Sequence, residues 1–309
     1  MKVVPLAAES LGVRSMATYV EAGRTGVLID PGAALAPSRF NLPPADEEWE
    51  ALRRANDRIS AYAARAGIIF VSHYHEDHFR HDPGGYAGRW VLAKDPRRMI
   101  AGAQGRRASD LWREIGRAAR LESADGREYE GTDLSFRVSP PLAHGIEGTT
   151  LGYVVAITLI DPAERFRFVF ASDVQGPLSR VATAYLIRER PHLLYLSGPP
   201  SYLEKQVGTA VIDQGIDNLR RVIDATGCRV IMDHYALRDA NALDRFGALW
   251  EDGRVATAAR YLGVREAALE GKRHILWATQ RKPQARMPSG RAIVSRKSTA
   301  RYAQGGTFQ

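Results

Sequence analysis

Gly67-Ile68-Ile69-Phe70-Val71-Ser72-His73-Tyr74-His75-Glu76-Asp77-His78 decides how the rest of the chain is read. Its first half is an apolar run closed by Ser72, the pattern of a buried β-strand leading into a turn. Its second half sets four side chains suited to metal binding, His73, His75, Asp77 and His78, within six residues. Imidazole nitrogens and carboxylate oxygens are the ligands that zinc and related divalent ions prefer. On a loop at a strand end these side chains can fan out around two ions rather than one. A solvated polar turn does not account for three of the chain's eight histidines falling in one such stretch.

Two ions need more ligands than one loop supplies, so other histidines and carboxylates at strand ends become candidates. His144 follows Leu134-Ser135-Phe136-Arg137-Val138 and the Pro140-Pro141 turn. Asp173 lies just past Phe166-Arg167-Phe168-Val169-Phe170, before a Val174-Gln175-Gly176-Pro177 turn. His234 ends Val230-Ile231-Met232-Asp233. Strand ends on a rigid scaffold are where functional side chains concentrate. Taken singly, each residue reads as a turn cap or a structural histidine; together they form a set.

The remaining pattern alternates strands with helices. Strands are expected at 16–21 and 25–32, where β-formers precede Pro31-Gly32. Trp49, Leu52, Ala55, Ile59 and Tyr62 recur at helical spacing over 46–66, with Asp46, Glu47 and Glu48 near the helix N-terminus. A second helical region is expected over 96–121, broken around Gly102 to Gly105. Strands follow at 134–138, 151–159, 166–171, 193–196 and 229–232. An amphipathic helix covers 217–225 with Gly227 as its stop, and 244–262 reads as mostly helical. This grouping suggests two sheets between helical layers.

With the ligand order in hand, the chain resembles the metallo-β-lactamase-fold hydrolases. Their run His-x-His-x-Asp-His after a strand, then a later His, an Asp and a final His at strand ends, is matched by His73, His75, Asp77, His78, His144, Asp173 and His234. Asp30, in Ile29-Asp30-Pro31-Gly32, resembles that superfamily's early strand-end Asp. The resemblance covers roughly residues 15–240. Ser72 to His78, together with Ser197-Gly198-Pro199-Pro200-Ser201-Tyr202-Leu203, is similar more closely to an archaeal subfamily of predicted metal-dependent hydrolases.

The resemblance implies an α/β (α+β type) fold, an αββα sandwich of two mixed β-sheets flanked by helices. It implies one ion on His73, His75 and His144, a second on Asp77, His78 and His234, and Asp173 bridging. Asp77 and Asp173 are then the catalytic carboxylates. The expected cofactors are two divalent metal ions, zinc first, with manganese or iron accepted by the same donors. The expected activity is cleavage of an ester-type bond (phosphodiester, thioester or lactone) by a metal-bridging hydroxide, since paired cations lower the pKa of shared water and polarise the scissile group. Asp30 and Asp233 are candidate acceptors orienting ligand imidazoles. Tyr202, Tyr235 and Arg238 are candidate substrate contacts, His81 a surface residue, His192 and His274 structural, and Cys228 an inert core thiol.

Composition frames these expectations. An apolar fraction of 45% and a charged fraction of 25% are ordinary for a soluble globular chain of 309 residues. Cys228 is the sole cysteine, which excludes an internal disulfide and fits a reducing compartment. The first twenty residues lack a basic segment followed by a sustained apolar run, and no stretch reaches the roughly 20 apolar residues of a membrane span. A cytoplasmic protein is expected. The net charge of +8 is concentrated at the end: nine Lys and Arg and no acidic residue lie beyond Glu270, which leaves residues 1–271 at −1. The expected organisation is a hydrolase domain over 1–271 and a basic tail over 272–309, mobile after about Lys282.

Three rival readings differ in class. A nuclease of the same fold would use the basic tail on RNA or DNA, but the body is nearly neutral and lacks a large insert. A di-iron redox protein would carry Glu where His75 stands, together with a flavin domain. A non-catalytic binding module would have an eroded ligand set. The expected partner is a small-molecule or phosphoester substrate, with no membrane; nucleic-acid contact through the basic tail belongs to the nuclease alternative.

Overall fold

The computed structural model describes residues 1–280. One sheet holds β1 (Lys2–Pro5), β2 (Thr18–Ala22), β3 (Thr25–Ile29), β4 (Ile68–Val71), β5 (Trp90–Ala93) and β6 (Arg120–Ser123), in that spatial order. The first two pairings are antiparallel and the last three parallel. After β7 (Glu128–Tyr129) and β8 (Ser135–Val138), a small ribbon pairs β9 (Leu142–Ala143) with β10 (Tyr153–Val154). β11 (Ile157–Asp161), β12 (Phe166–Ser172), β13 (Leu193–Ser197), β14 (Arg229–Asp233) and β15 (Val255–Ala256) then complete a second mixed sheet in the order β15-β14-β13-β12-β11-β8-β7.

Alternation along each strand sorts the side chains into three cores, as the two-residue period of a strand requires. Ile29, Ile68 and Phe70 of the first sheet meet Phe168, Phe170 and Ile231 of the second in the central layer. The outward residues Leu28, Ile69 and Val71 pack under the helices Asp46–Ala63 and Gly102–Ile115. Val169, Leu194 and Met232 pack under the helices Arg180–Glu189 and Thr209–Thr226. The result is an αββα sandwich of two mixed sheets.

Several elements differ from the sequence expectation. The first helix buries Ala51, Ala55, Ile59 and Ala63, so its apolar stripe is rotated and Trp49 stands 55% exposed. Residues 96–101 are not helical, and Arg120–Ser123 is an edge strand because it pairs in parallel with β5. β1, β5 and the helix Arg180–Glu189 had no counterpart in the pattern reading. Residues 244–262 split into the short helices Ala242–Arg245, Gly247–Trp250 and Ala258–Tyr261 around β15, with Gly253 in the left-handed region at φ 75°. The helix at 217–225 begins earlier, at Thr209, and ends as expected against Gly227.

Two features of the C-terminal region bear on its organisation. Arg273, counted among the tail's cations, is fully buried at the start of the helix Arg273–Gln280 and pairs with Glu48. The basic residues from Arg281 onward, and with them the expected mobility after Lys282, lie outside the described residues. Among the described residues no helix is long and apolar enough to cross a membrane.

Candidate metal centre

Parallel pairing brings the carboxyl ends of β3 and β4 to one edge of the first sheet, and those of β12, β13 and β14 to one edge of the second. Asp30 follows β3, the run from Ser72 to His78 follows β4, Asp173 follows β12, His234 follows β14, and His144 follows the ribbon strand β9. Three of these exits turn sharply through left-handed backbone: Asp30 at φ 45°, Ser172 at 50° and His234 at 60°. A non-glycine residue there costs on the order of 1–3 kcal/mol, and such strain gathers at functional sites.

All seven candidate ligands converge. The Asp173 carboxylate is the hub: Oδ2 lies 3.1 Å from His144 Nε2 and 3.4 Å from both His73 Nε2 and His78 Nε2, and Oδ1 lies 3.4 Å from His234 Nε2. His75 Nδ1 is 3.0 Å from His73 Nε2. Asp77 closes the far side, 3.6 Å from His234 Nε2 and 3.9 Å from His78 Nε2. The donor atoms fall into groups, His73, His75, His144 and Asp173 in one and Asp77, His78 and His234 in another, each spanning no more than 4.8 Å. Asp30, His73 and His78 meet the same distance test. Asp30, however, already accepts from the Ser72 amide and hydroxyl and from His78 Nδ1, so it faces the ligands from behind.

Every ring but that of His144 has a partner on the nitrogen turned away from the hub. His78 Nδ1 donates to Asp30 Oδ2 at 2.8 Å, and His73 Nδ1 lies 2.9 Å from Ser72 Oγ, itself 2.8 Å from Ser172 Oγ. His234 Nδ1 donates to Glu9 Oε2 at 2.7 Å. Gln104, buried at the start of the helix Gly102–Ile115, accepts from the Tyr74 amide, donates to the Leu151 carbonyl and reaches His75 Nε2 at 3.3 Å. Such outer partners fix the tautomer and aim the inner lone pair.

Glu9, Gln104 and Ser172 carry no motif in the sequence. Glu9's signal was faint: one acid inside Pro5-Leu6-Ala7-Ala8-Glu9, an otherwise apolar run.

Asp233 does not orient an imidazole. Its oxygens accept backbone amides of Ser10, His234 and Ala258, pinning the loop that carries His234. Arg238 is no substrate contact either: it is buried, with Nε on Glu9 Oε1 at 2.7 Å and Nη2 3.3 Å from Asp77 Oδ2. Tyr235 donates its hydroxyl to Asp173 Oδ2 at 3.2 Å, and Tyr202 lies parallel to its ring with centroids 6.4 Å apart. His81 is exposed, His192 accepts from the Arg167 amide, and His274 sits edge-on to Phe40. Burial pushes the Cys228 thiol up, which suits an inert core residue.

The electrostatics favour cations. Burial opposes ionising Asp173, yet His78, His234 and the His144 hydrogen bond hold its pKa well below the usual carboxylate range. Burial likewise opposes charging His234, but Glu9 and Asp173 outweigh it and lift its pKa to about 9. His73, with burial and His78 both against it, falls to about 4. Within this cluster His78 Nε2, His144 Nδ1 and Asp173 Oδ1 are buried without a hydrogen-bond partner. A buried polar atom left so costs about 1–3 kcal/mol. For His78 Nε2 and Asp173 Oδ1, which face the other donors, a cation removes that cost. The donor set fits divalent metal ions.

The chain is 39% identical over 304 residues to a UPF0282 protein of Pyrococcus abyssi, a match that covers 94% of this chain and 97% of that one. The chain belongs to the UPF0282 family. The UPF0282 protein of Methanopyrus kandleri is likewise 39% identical, over 293 residues covering 88% of this chain and 98% of that protein. No family model matches. Among solved structures, unliganded yeast PDE1 aligns with TM-score 0.48 at 12% identity, covering 83% of this chain and 97% of that one. Zn2+-bound PqqB from Methylobacterium extorquens aligns with TM-score 0.48 at 9% identity, covering 83% and 98%. The UPF0282 chain's own layers and sheet topology make it a metallo-β-lactamase fold, as its sequence led one to expect.

Proposed function

We propose that this chain is a metal-dependent hydrolase with a dinuclear site that cleaves an ester-type bond. The observation that carries the reading is the convergence of five imidazoles and the Asp77 carboxylate around the Asp173 hub at one edge of the sandwich. In this reading His73, His75 and His144 hold one ion, Asp77, His78 and His234 the other, and Asp173 lies between them. Zinc suits such nitrogen-rich sets, with manganese and iron as the other candidates. Two bound cations supply Lewis acidity to the scissile group and make water nucleophilic at neutral pH.

The chain's own residues prepare the site for that chemistry. Asp30 and Glu9 hold protons on the outer nitrogens of His78 and His234, so Nε2 of each ring is the nitrogen turned inward, where an ion would replace its proton. Asp173 and Asp77 stay ionised and supply the negative charge that paired cations need. Tyr235 keeps its hydroxyl proton on Asp173 Oδ2. His75 and Asp77 are the half-buried members of the set and mark the mouth, while His73, His78, His144, Asp173 and His234 are sealed from solvent. Burial of these side chains excludes bulk water from them and strengthens the charge interactions among them.

Elemental analysis of purified protein tests the first half of the reading, with two equivalents of metal per chain expected. Assays of each metal-loaded form on phosphodiester, phosphomonoester, thioester, lactone and RNA substrates test the second half. Turnover of one ester class that disappears on chelation and returns with metal is the expected result. Metal-loaded protein inert toward all five classes overturns the assignment as a hydrolase of ester-type bonds.

A further inference from the structure

The two ligand groups differ in one respect that the dinuclear reading leaves unused. The group of His73, His75, His144 and Asp173 meets the rings of the other group and the uncharged side chains of Ser72, Gln104 and Tyr235, with no guanidinium or ammonium against it among the described residues. The group of Asp77, His78 and His234 already has a cation at its edge. Arg238 Nη2 lies 3.1 Å from His234 Nε2 and 3.3 Å from Asp77 Oδ2, the two atoms that face inward. A guanidinium does not lose its proton in a protein, so this charge is permanent.

The guanidinium is held from behind. Its Nε donates to Glu9 Oε1, its Cζ sits 4.3 Å above the Tyr235 ring, and the residue is 3% exposed. Glu9 therefore binds both the outer nitrogen of His234 and the arginine that approaches its inner nitrogen. An ion on His234 Nε2 would occupy the space that Arg238 Nη2 fills, 3.1 Å from that atom. An entering ion must displace Nη2 while Nε keeps its anchor, and must then rest beside a like charge in a medium of low dielectric.

We propose that Arg238 is a built-in counter-cation of the second ligand group. It keeps Asp77 and His234 together before an ion enters, and it makes the second ion bind after the first and more weakly. This rests on the dinuclear reading above. It also implies that the chain passes through a one-metal form with only the His73, His75 and His144 group loaded, so occupancy of the second group tracks metal supply.

Stepwise titration of metal-depleted protein with Zn2+, followed by calorimetry and by elemental analysis after dialysis, tests the inference. Wild-type protein should give two separable binding events. Arg238→Met should leave the first unchanged and tighten the second by at least about tenfold, the order expected when a like charge is removed from contact with a cation. Arg238→Lys keeps a charge on Glu9 but lacks the planar fork that reaches Asp77 and His234 together, so its second event should fall between the two. It also serves if the methionine variant does not fold, as circular dichroism would report. Equal stepwise affinities in wild type and both variants, with two ions bound in each, overturn the role of Arg238 and leave the dinuclear reading standing. A single ion bound at saturation in every form overturns the dinuclear reading itself.

Discussion

Glu9 and His234 are 225 positions apart in sequence, and the carboxylate Oε2 of one accepts the Nδ1 proton of the other at 2.7 Å. Both are buried, and the contact joins the first turn of the chain to the end of β14. The amino-terminal segment is thus a working part of the candidate metal centre, since it fixes the tautomer of one ring and anchors Arg238 as well.

Glu9→Gln should weaken metal binding about 10–100-fold, the usual cost of losing a carboxylate behind a metal-binding imidazole. The amide keeps the shape of the side chain but no longer carries the charge that holds His234 and Arg238 in place. Competition against a chromogenic chelator measures the change. Wild-type affinity in the variant would make Glu9 a packing residue.

Asp173→Ala should abolish hydrolysis while the far-ultraviolet dichroism stays close to wild type. Four rings lean on this carboxylate, and without it two cations a few ångströms apart have no charge between them. One equivalent of metal should be lost before the other. Retention of both ions and full turnover would reduce Asp173 to a turn residue after β12.

Metal loading should raise the thermal midpoint of the depleted protein, and a chelator should reverse the rise. The ligands come from four separate strand exits, so they are assembled only in the folded chain, and each ion binds the folded state preferentially. At a free metal concentration a hundred times Kd the gain is about 2.7 kcal/mol per ion. Scanning calorimetry at several metal concentrations checks it, and a midpoint insensitive to metal would count against binding at this cluster.

The site was legible in the sequence to the extent that its chemistry sits in local runs. His73 to His78 announce themselves by density, and His144, Asp173 and His234 by following apolar strands. What holds them was not legible, because Glu9, Gln104 and Arg238 work through contacts made only on folding. Arg238 reads as a candidate substrate contact until Glu9 is seen behind it. The sandwich followed from alternating runs, but β6 was misassigned because Arg120-Leu121-Glu122-Ser123 is a strand only by virtue of its pairing with β5. Trp49 misled for the opposite reason: it keeps the helical period and lies one position off the buried face. Propensity and period set the element, and tertiary partners set the face.

Arg273→Ala should destabilise the fold by about 3–5 kcal/mol, the range for stripping one partner from a buried ion pair. The guanidinium is fully buried and makes two parallel hydrogen bonds to Glu48, each 2.8 Å, while donating to the carbonyls of Leu42 and Ala36 at 3.0 Å. Truncation leaves the Glu48 carboxylate buried without its countercharge and removes the guanidinium from the Ala36 carbonyl, while the Leu42 carbonyl keeps the Arg39 amide. The same bonds pin the loop between Pro31 and Asp46, whose Arg39 lies 5.0 Å over the Tyr202 ring and donates to the Arg238 carbonyl. Loosening the loop should therefore raise KM more than it lowers kcat, because its Arg39 bears on Tyr202, a candidate substrate contact. Chemical denaturation of the variant gives the first quantity and steady-state kinetics the second. A variant as stable as wild type would show the Arg273–Glu48 pair to be dispensable, and an unchanged KM would separate the loop from substrate binding.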